Sequence, residues 1–380
     1  MMEQIDIFTR QLLVSAQSSS PVNVAERIKF MSLDVVGHLV FGYPLNLQTN
    51  EANRHMIGTL KGGNYRLNTY MQYLLLAKLH LEIFVFVLML IKKESYLRLL
   101  EKMIESRLAE EKHAKHDLYS IMVDAMEGSD SEGIKLSEIW SEALFFFPAG
   151  GESVTTAISA LFFYLSQNPQ VYQELAEEIR STFKTSDEIH GGPQLAGCQY
   201  LRACIDETLR MAPPGPGTMW RERSSKDDRS RPFLIDGDVI PEGTIFGVNI
   251  YTLHHNEEYF PDPFSFKPER WLPSRTPEAQ RKVMHNAFAA FLLGPRGCGG
   301  KAMAYLEISL VVAKTLWYFD FERAPGAPGD LGGGTGSAQE TNGRERRDEY
   351  QLYDIFAAAH DGPNLIFTPR GDTIGQLRPQ

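Results

Sequence analysis

Cys298 lies in the stretch Phe291-Leu-Leu-Gly-Pro-Arg-Gly-Cys-Gly-Gly300, which also holds four glycines and one arginine. The residues that follow read as a helix, with Ala302, Leu306, Leu310, Ala313 and Trp317 recurring at spacings of three to four. The thiol therefore stands on a glycine-rich turn at a helix entrance. Such a turn lets the backbone take φ > 0 and lets a flat ligand come close. Free N–H groups and the helix dipole bias a thiol there toward thiolate. A thiolate on bare backbone suits one axial side of a haem iron, although a lone cysteine is most often a small buried hydrophobe. Two further groups could do chemistry. Ala149-Gly-Gly-Glu-Ser153 sits inside a helical pattern, and Pro148, Gly150 and Gly151 are poor helix formers there. The defect marks either a functional site in one long helix or a kink between two. Glu207 and Arg210 stand three apart, which puts carboxylate and guanidinium on one helix face.

These groups need a scaffold, and the pattern supplies one that is mainly α with small β-sheets. Residues 22–41 read as a helix with a broad apolar face, ended by Gly42-Tyr-Pro44. Residues 50–91 are helical by composition, and 94–115 form an amphipathic helix with a stripe of Leu97, Leu100, Ile104 and Leu108. Residues 137–167 form the long helix with the defect. Residues 168–190 read as an N-capped helix with Pro169 at its first position, and 195–211 as the next one. The proline- and glycine-rich 211–221 must be extended. Residues 233–250 read as strand, tight turn, strand. A proline-punctuated meander covers 251–274. The glycine-rich 324–345 reads as a disordered surface loop, and strand character returns over 350–369. His254 and His255 are adjacent, point apart and have no third ligand at a useful spacing, which argues against a metal site there. No repeat is visible, and the expectation is a single domain over 1–380.

Composition narrows the function. The 380 residues suffice to bury a large core. A net charge of −10 argues against nucleic acid as partner. Three cysteines, Cys198, Cys204 and Cys298, give no disulfide framework and fit a reducing compartment. The first 20 residues carry acids early and no long apolar run, unlike a secretory leader. The longest apolar run, Ile83 to Ile91, has nine residues against the ~20 that span a bilayer.

The decamer around Cys298 reads F-x-x-G-x-R-x-C-x-G, and this resembles the haem-ligand loop of the cytochrome P-450 monooxygenases. Four more features follow the order of that family: the Ala149–Ser153 groove, Glu207-x-x-Arg210, Pro268-Glu-Arg-Trp271 and the helix after the cysteine. The resemblance implies haem b (iron protoporphyrin IX) with Cys298 as the proximal thiolate ligand to iron. It implies that Arg296 pairs with a haem propionate, that Phe291 packs beside the sulfur, and that Gly294 and Gly300 shape the loop. Arg221 is a second propionate candidate, and Thr218 and Met219 would line the pocket. In the groove the glycines would open a bay for O2, with Glu152 as acid and Ser153 as alcohol in a proton relay. Serine stands where the family usually has threonine, and it lacks the methyl that fixes the rotamer. Glu207, Arg210 and Arg270 would be a structural triad that holds the haem-side core.

The activity implied is insertion of one oxygen atom of O2 into a C–H bond of an apolar small molecule. The motif wording is similar to fungal enzymes of secondary metabolism. No G-x-G-x-x-G or flavin motif is present, so electrons would come from a separate NADPH-dependent reductase. The resemblance covers residues ~20–370 and starts at the family's fifth long helix, so the expectation is a P-450 fold lacking its N-terminal helices. The zone 50–91 would then be either a lid touching a membrane surface or a buried core helix. The full-length form would sit on the cytoplasmic face of the endoplasmic reticulum membrane, with no anchor in this chain. The competing reading is a haem-poor remnant that acts only as a non-catalytic interaction protein.

Overall fold

The computed structural model describes residues 1–73, 96–111, 117–121, 136–223, 232–337 and 343–371, with a few isolated positions besides. Among the described residues the chain is mainly helical, with three small sheets. Helix α1 (Met2–Gln17) buries Ile5, Phe8 and Leu12 at the spacing of one helix face. The sequence pattern leaves it unassigned, because its apolar residues are interspersed with as many polar ones. After the short strand β1 (Val22–Asn23), helix α2 (Val24–Phe41) starts where the Asn23 side chain accepts the Glu26 N–H at 3.4 Å. It ends at Gly42, whose φ of 56° closes the last turn.

Helix α3 spans His55–Gln72. Residues 96–108 are helical and bury Tyr96, Leu99, Leu100, Met103, Ile104 and Arg107. The expected stripe is thus rotated: Leu108 is exposed, and Arg107 is buried because Asp117 accepts from its Nε at 2.6 Å. The apolar run 83–91 and its membrane reading lie outside the described residues. Among the described residues no helix is long and apolar enough to cross a membrane.

Helix α4 (Leu136–Phe146), a π turn (Phe147–Glu152) and helix α5 (Ser153–Gln167) follow one another without a break. Helix α6 (Pro169–Thr182) ends eight residues before the expected 190. Asn168 does not cap it, since its Nδ2 donates back to the Tyr164 carbonyl at 2.8 Å. Helix α7 (Gln199–Met211), hairpin strands β2 (Arg221–Glu222), β3 (Leu234–Ile235), β4 (Asp238–Val239) and β5 (Ile245–Phe246), and helices α8 (Ile250–His254), α9 (Glu278–Ala287) and α10 (Lys301–Tyr318) complete the frame around the cysteine loop. Ala302 and Leu306 are exposed, and the buried face of α10 begins at Tyr305.

Strand β7 (Asn364–Pro369) lies between β1 and β6 (Phe319–Arg323), antiparallel to both, with Val22 opposite Leu365 and Phe321 opposite Phe367. The expected disorder over 324–345 is corrected in the described part. Gly334 N–H donates to Arg346 and Thr335 N–H to Arg344, both at 2.9 Å. A side chain at Gly334 would strike those carbonyls and one at Gly333 the Arg347 carbonyl, so the glycines there serve close backbone packing.

Two apolar cores meet at α2. Ile28 and Met31 join the larger core with α5, α7, α10 and the sheet, whereas Phe30, Leu33 and Val36 join a second with the 96–104 and 139–147 helices. The π turn packs directly on this second face.

Candidate active site

The π turn is where the sequence defect falls. Pro148 brings no N–H to the helix ladder, and two glycines loosen the next residues. The widened turn frees carbonyls, and hydroxyls take them up. Ser153 Oγ donates to the Ala149 carbonyl, Thr155 Oγ1 to Gly151 at 2.7 Å and Thr156 Oγ1 to Glu152 at 3.0 Å. The glycines have a packing reason of their own. A Cβ on Gly151 would sit 2.5 Å from Leu33, and one on Gly150 would sit 2.9 Å from Val36. They let α2 approach the turn.

Glu152 is buried, and its Oε2 pairs with Lys29 Nζ of α2 at 3.2 Å. Its Oε1 is buried without a hydrogen-bond partner. Sequence reading named Glu152 and Ser153 but missed Lys29, which is 123 positions away and carries no motif.

The second assembly is the carboxylate of Glu207, fully buried in α7. It accepts from Arg210 Nε (2.9 Å) and Nη2 (2.8 Å), Arg270 Nε (2.9 Å), the Lys267 N–H (3.0 Å) and Trp271 Nε1 (3.0 Å). Burial acts to raise its carboxyl, but Arg210 and Arg270 outweigh this and hold it below the ordinary range. Arg210 Nη1 also donates to the His254 carbonyl at 2.9 Å. The His254 ring Nδ1 lies 3.0 Å from the Arg210 carbonyl, and its Nε2 accepts the Ala289 N–H at 2.9 Å. Burial pushes the imidazole down to about 3, so it is neutral. His254 thereby ties the Glu207 assembly to the segment that runs into Phe291. No sequence signal beyond its position gave this role.

The cysteine loop is shaped by its own backbone. A 3-10 turn spans Gly294–Arg296, Gly297 N–H donates to Gly294 at 2.9 Å, and Cys298 N–H donates to the Phe291 carbonyl at 2.8 Å. The Phe291 ring packs on Tyr305 with centroids 5.1 Å apart, and Lys301 Nζ lies 5.6 Å above it. Tyr305 is held from behind by a hydrogen bond to Asp206. Cys298 and Arg296 are exposed, and the Cβ positions of Gly294 and Gly299 open onto free space. A Cβ on Gly300 would stand 3.8 Å from the Cys298 sulfur.

Cys198 and Cys204 are buried instead. Burial pushes the Cys198 thiol up to about 11 and that of Cys204 well above its usual value. Arg221 is exposed on β2 and donates to the Trp220 carbonyl at 3.0 Å, while Trp220 Nε1 donates to Gln72 at 3.0 Å. The structure thus joins Glu207 with Arg210 and Arg270, and Phe291 with Cys298. Arg221 and Arg296 stand on separate exposed segments. Among the described residues no three His, Cys, Asp or Glu converge on a bare metal ion.

A helical scaffold with a cysteine loop on one helix entrance and an acid–alcohol π turn in another long helix defines a class. The family model for cytochrome P450 matches residues 1–331. A cytochrome P450 monooxygenase from Gibberella zeae is 33% identical over 362 residues, covering 95% of this chain and 81% of its own length. The monooxygenase apf7 of Gibberella fujikuroi is 32% identical, covering 93% of this chain and 66% of its own length. The monooxygenase lcsN of Purpureocillium lilacinum is 30% identical, covering 90% of this chain and 97% of its own length. The chain belongs to the cytochrome P450 family of monooxygenases, which are oxidoreductases.

Proposed function

We propose that this chain is a haem-thiolate monooxygenase acting on an apolar small molecule of fungal secondary metabolism, with electrons from a separate NADPH-dependent reductase. The observation that carries the reading is Cys298. It is the one exposed thiol of the three, on a loop already shaped by backbone hydrogen bonds.

The donor set fits haem b. A soft sulfur ligand stands on a loop with open space at Gly294 and Gly299, and the exposed guanidinium groups of Arg296 and Arg221 carry the charge that propionate carboxylates need. When bound, the thiolate-ligated iron supplies activation of dioxygen. The protein's own residues do the rest. Phe291 and Tyr305 hold the loop from the protein side. Glu152 keeps one carboxylate oxygen without a donor, and the neighbouring Ser153 hydroxyl can accept a hydrogen bond on its lone pairs while donating to Ala149. Together they form a relay in a turn sheltered by Leu33 and Val36. The relatives are fungal proteins named monooxygenases, which supports the reaction class.

The test is carbon-monoxide difference spectroscopy on the reduced protein. Cys298→Ala abolishes the red-shifted band of thiolate-ligated haem and all turnover, while Cys198→Ala and Cys204→Ala keep it. Loss of the band in a Cys204 variant alone would overturn the assignment.

A further inference from the structure

Two buried acceptors near the π turn have no donor: Glu152 Oε1 and His360 Nε2. Buried polar atoms are almost always paired, and these two share surroundings. Thr156 Oγ1 donates to the Glu152 carbonyl and lies 3.4 Å from the Ala358 carbonyl, so the segment carrying His360 runs against this part of α5. Lys29 bears on both groups. It pairs with Glu152 at 3.2 Å, and its charge adds to burial in pushing the His360 imidazole down to about 3.

The tautomer of His360 follows from its other partner. Tyr350 has one hydroxyl hydrogen and donates it to the Gly362 carbonyl at 2.8 Å, since a carbonyl can only accept. The His360 Nδ1 at 2.8 Å from the same oxygen must then be the donor. Its Nε2 is left as a bare acceptor. Lys29 has three N–H donors and uses one on Glu152. Its side chain is 19% exposed, whereas that of Glu152 is 5% exposed. Asp361, beside His360, is engaged by the Asn23 side chain at 2.7 Å.

We infer that Lys29, His360 and Glu152 bind internal water and form the solvent end of the proton path into the active site. A water accepts from Lys29 and donates to an unpaired acceptor, which supplies the two to four partners a buried water needs. A proton from bulk solvent crosses the bound water to Glu152 Oε1. The carboxylate is restored when its proton passes to the Ser153 oxygen as that hydroxyl turns from Ala149 and releases its own proton into the active site, and no heavy-atom bond changes. Lys29 is a positioning residue here: it ties Oε2 and leaves Oε1 to the water. This inference rests on the relay reading of Glu152.

Two measurements test it on the haem-loaded protein. The first is histidine nitrogen NMR in the diamagnetic carbon-monoxide form, with His360→Phe for assignment. The expected result is a neutral ring with hydrogen on Nδ1 and none on Nε2. A hydrogen on Nε2 overturns the proposal, because His360 would then offer the water no acceptor.

The second is turnover of Lys29→Met, Lys29→Arg and Glu152→Gln, each first shown to keep the thiolate band. Lys29→Met lowers kcat at least ~10-fold with KM unchanged and enlarges the solvent deuterium isotope effect, in keeping with general acid–base contributions. Lys29→Arg restores most of the rate. The Lys29→Met/Glu152→Gln pair falls no further than Glu152→Gln alone. Wild-type kcat and isotope effect in Lys29→Met, with Glu152→Gln slow, sinks this inference alone. Wild-type kinetics in Glu152→Gln sinks the relay reading as well.

Discussion

Glu207 and Glu152 are both buried glutamates, and the molecule treats them in opposite ways. Glu207 receives donors on both oxygens from two arginines, an indole and a backbone N–H. Glu152 receives one ammonium on one oxygen and nothing on the other. A fully satisfied buried charge is fixed in place and can only hold structure. A half-satisfied one keeps an oxygen available for a proton. The contrast separates the carboxylate that builds the site from the one suited to act in it.

The comparison breaks most visibly at Glu207. Glu207→Ala leaves Arg210 and Arg270 buried and unpaired, at a cost of about 3–5 kcal/mol. That approaches the whole stability of a domain, so soluble yield and haem content both fall. Normal chemical denaturation of that variant would remove Glu207 from the structural side of the contrast.

A third buried glutamate sharpens it. Glu307 of α10 accepts the Ser32 hydroxyl at 3.0 Å, and burial pushes its carboxyl from 4.5 up to about 7. The folded state therefore holds this proton more tightly than the unfolded chain does. Its contribution is complete below about 4.5 and is lost as pH rises through about 7. Glu307→Gln should remove this loss, on the order of 3 kcal/mol between those limits. The check is denaturation of both proteins across pH, read as the difference between them. A difference that does not vary with pH would show that Glu307 ionises alike in both states.

Gly151→Ala drives a methyl into Leu33 and costs about 1–3 kcal/mol. Adding Leu33→Ala should cost less than the sum of the two single changes, because the substitutions share one space. Strict additivity in a double-mutant cycle would mean the turn moves away instead. The smallest effect is expected for Glu152→Gln, below ~1 kcal/mol in stability, because one carboxylate oxygen makes no hydrogen bond to lose. A loss as large as that of Glu207→Ala would erase the distinction between the two sites.

Local sequence carried most of the helices after α1, the cysteine loop and the position of the defect, because each is written within a few residues. Glu207 and Arg210 lie three apart on one helix, and Arg270 arrived with its own motif. The failures are long-range or depend on environment. Lys29 and His360 reach the π turn only through tertiary packing, and neither lies in a recognisable pattern. The apolar stripe expected at Leu97 and Leu108 rotated because Asp117 made it possible to bury Arg107. The glycines of 324–345 read as slack when alone and as close packing once Arg346 and Arg347 run beside them. His254 read as an unsuitable metal ligand and not as a strut between two assemblies.

That strut has a practical side. With Nδ1 toward the Arg210 carbonyl and Nε2 accepting from Ala289, one uncharged ring couples the Glu207 cluster to the strip leading into Phe291. Heat or acid that loosens the arginine cluster is thereby passed on to the thiol's mount. Shelf life and operating temperature in a reactor would then be governed by the cluster, and efforts to lengthen catalyst lifetime belong around Arg210 and Arg270 before they belong in the glycine loop.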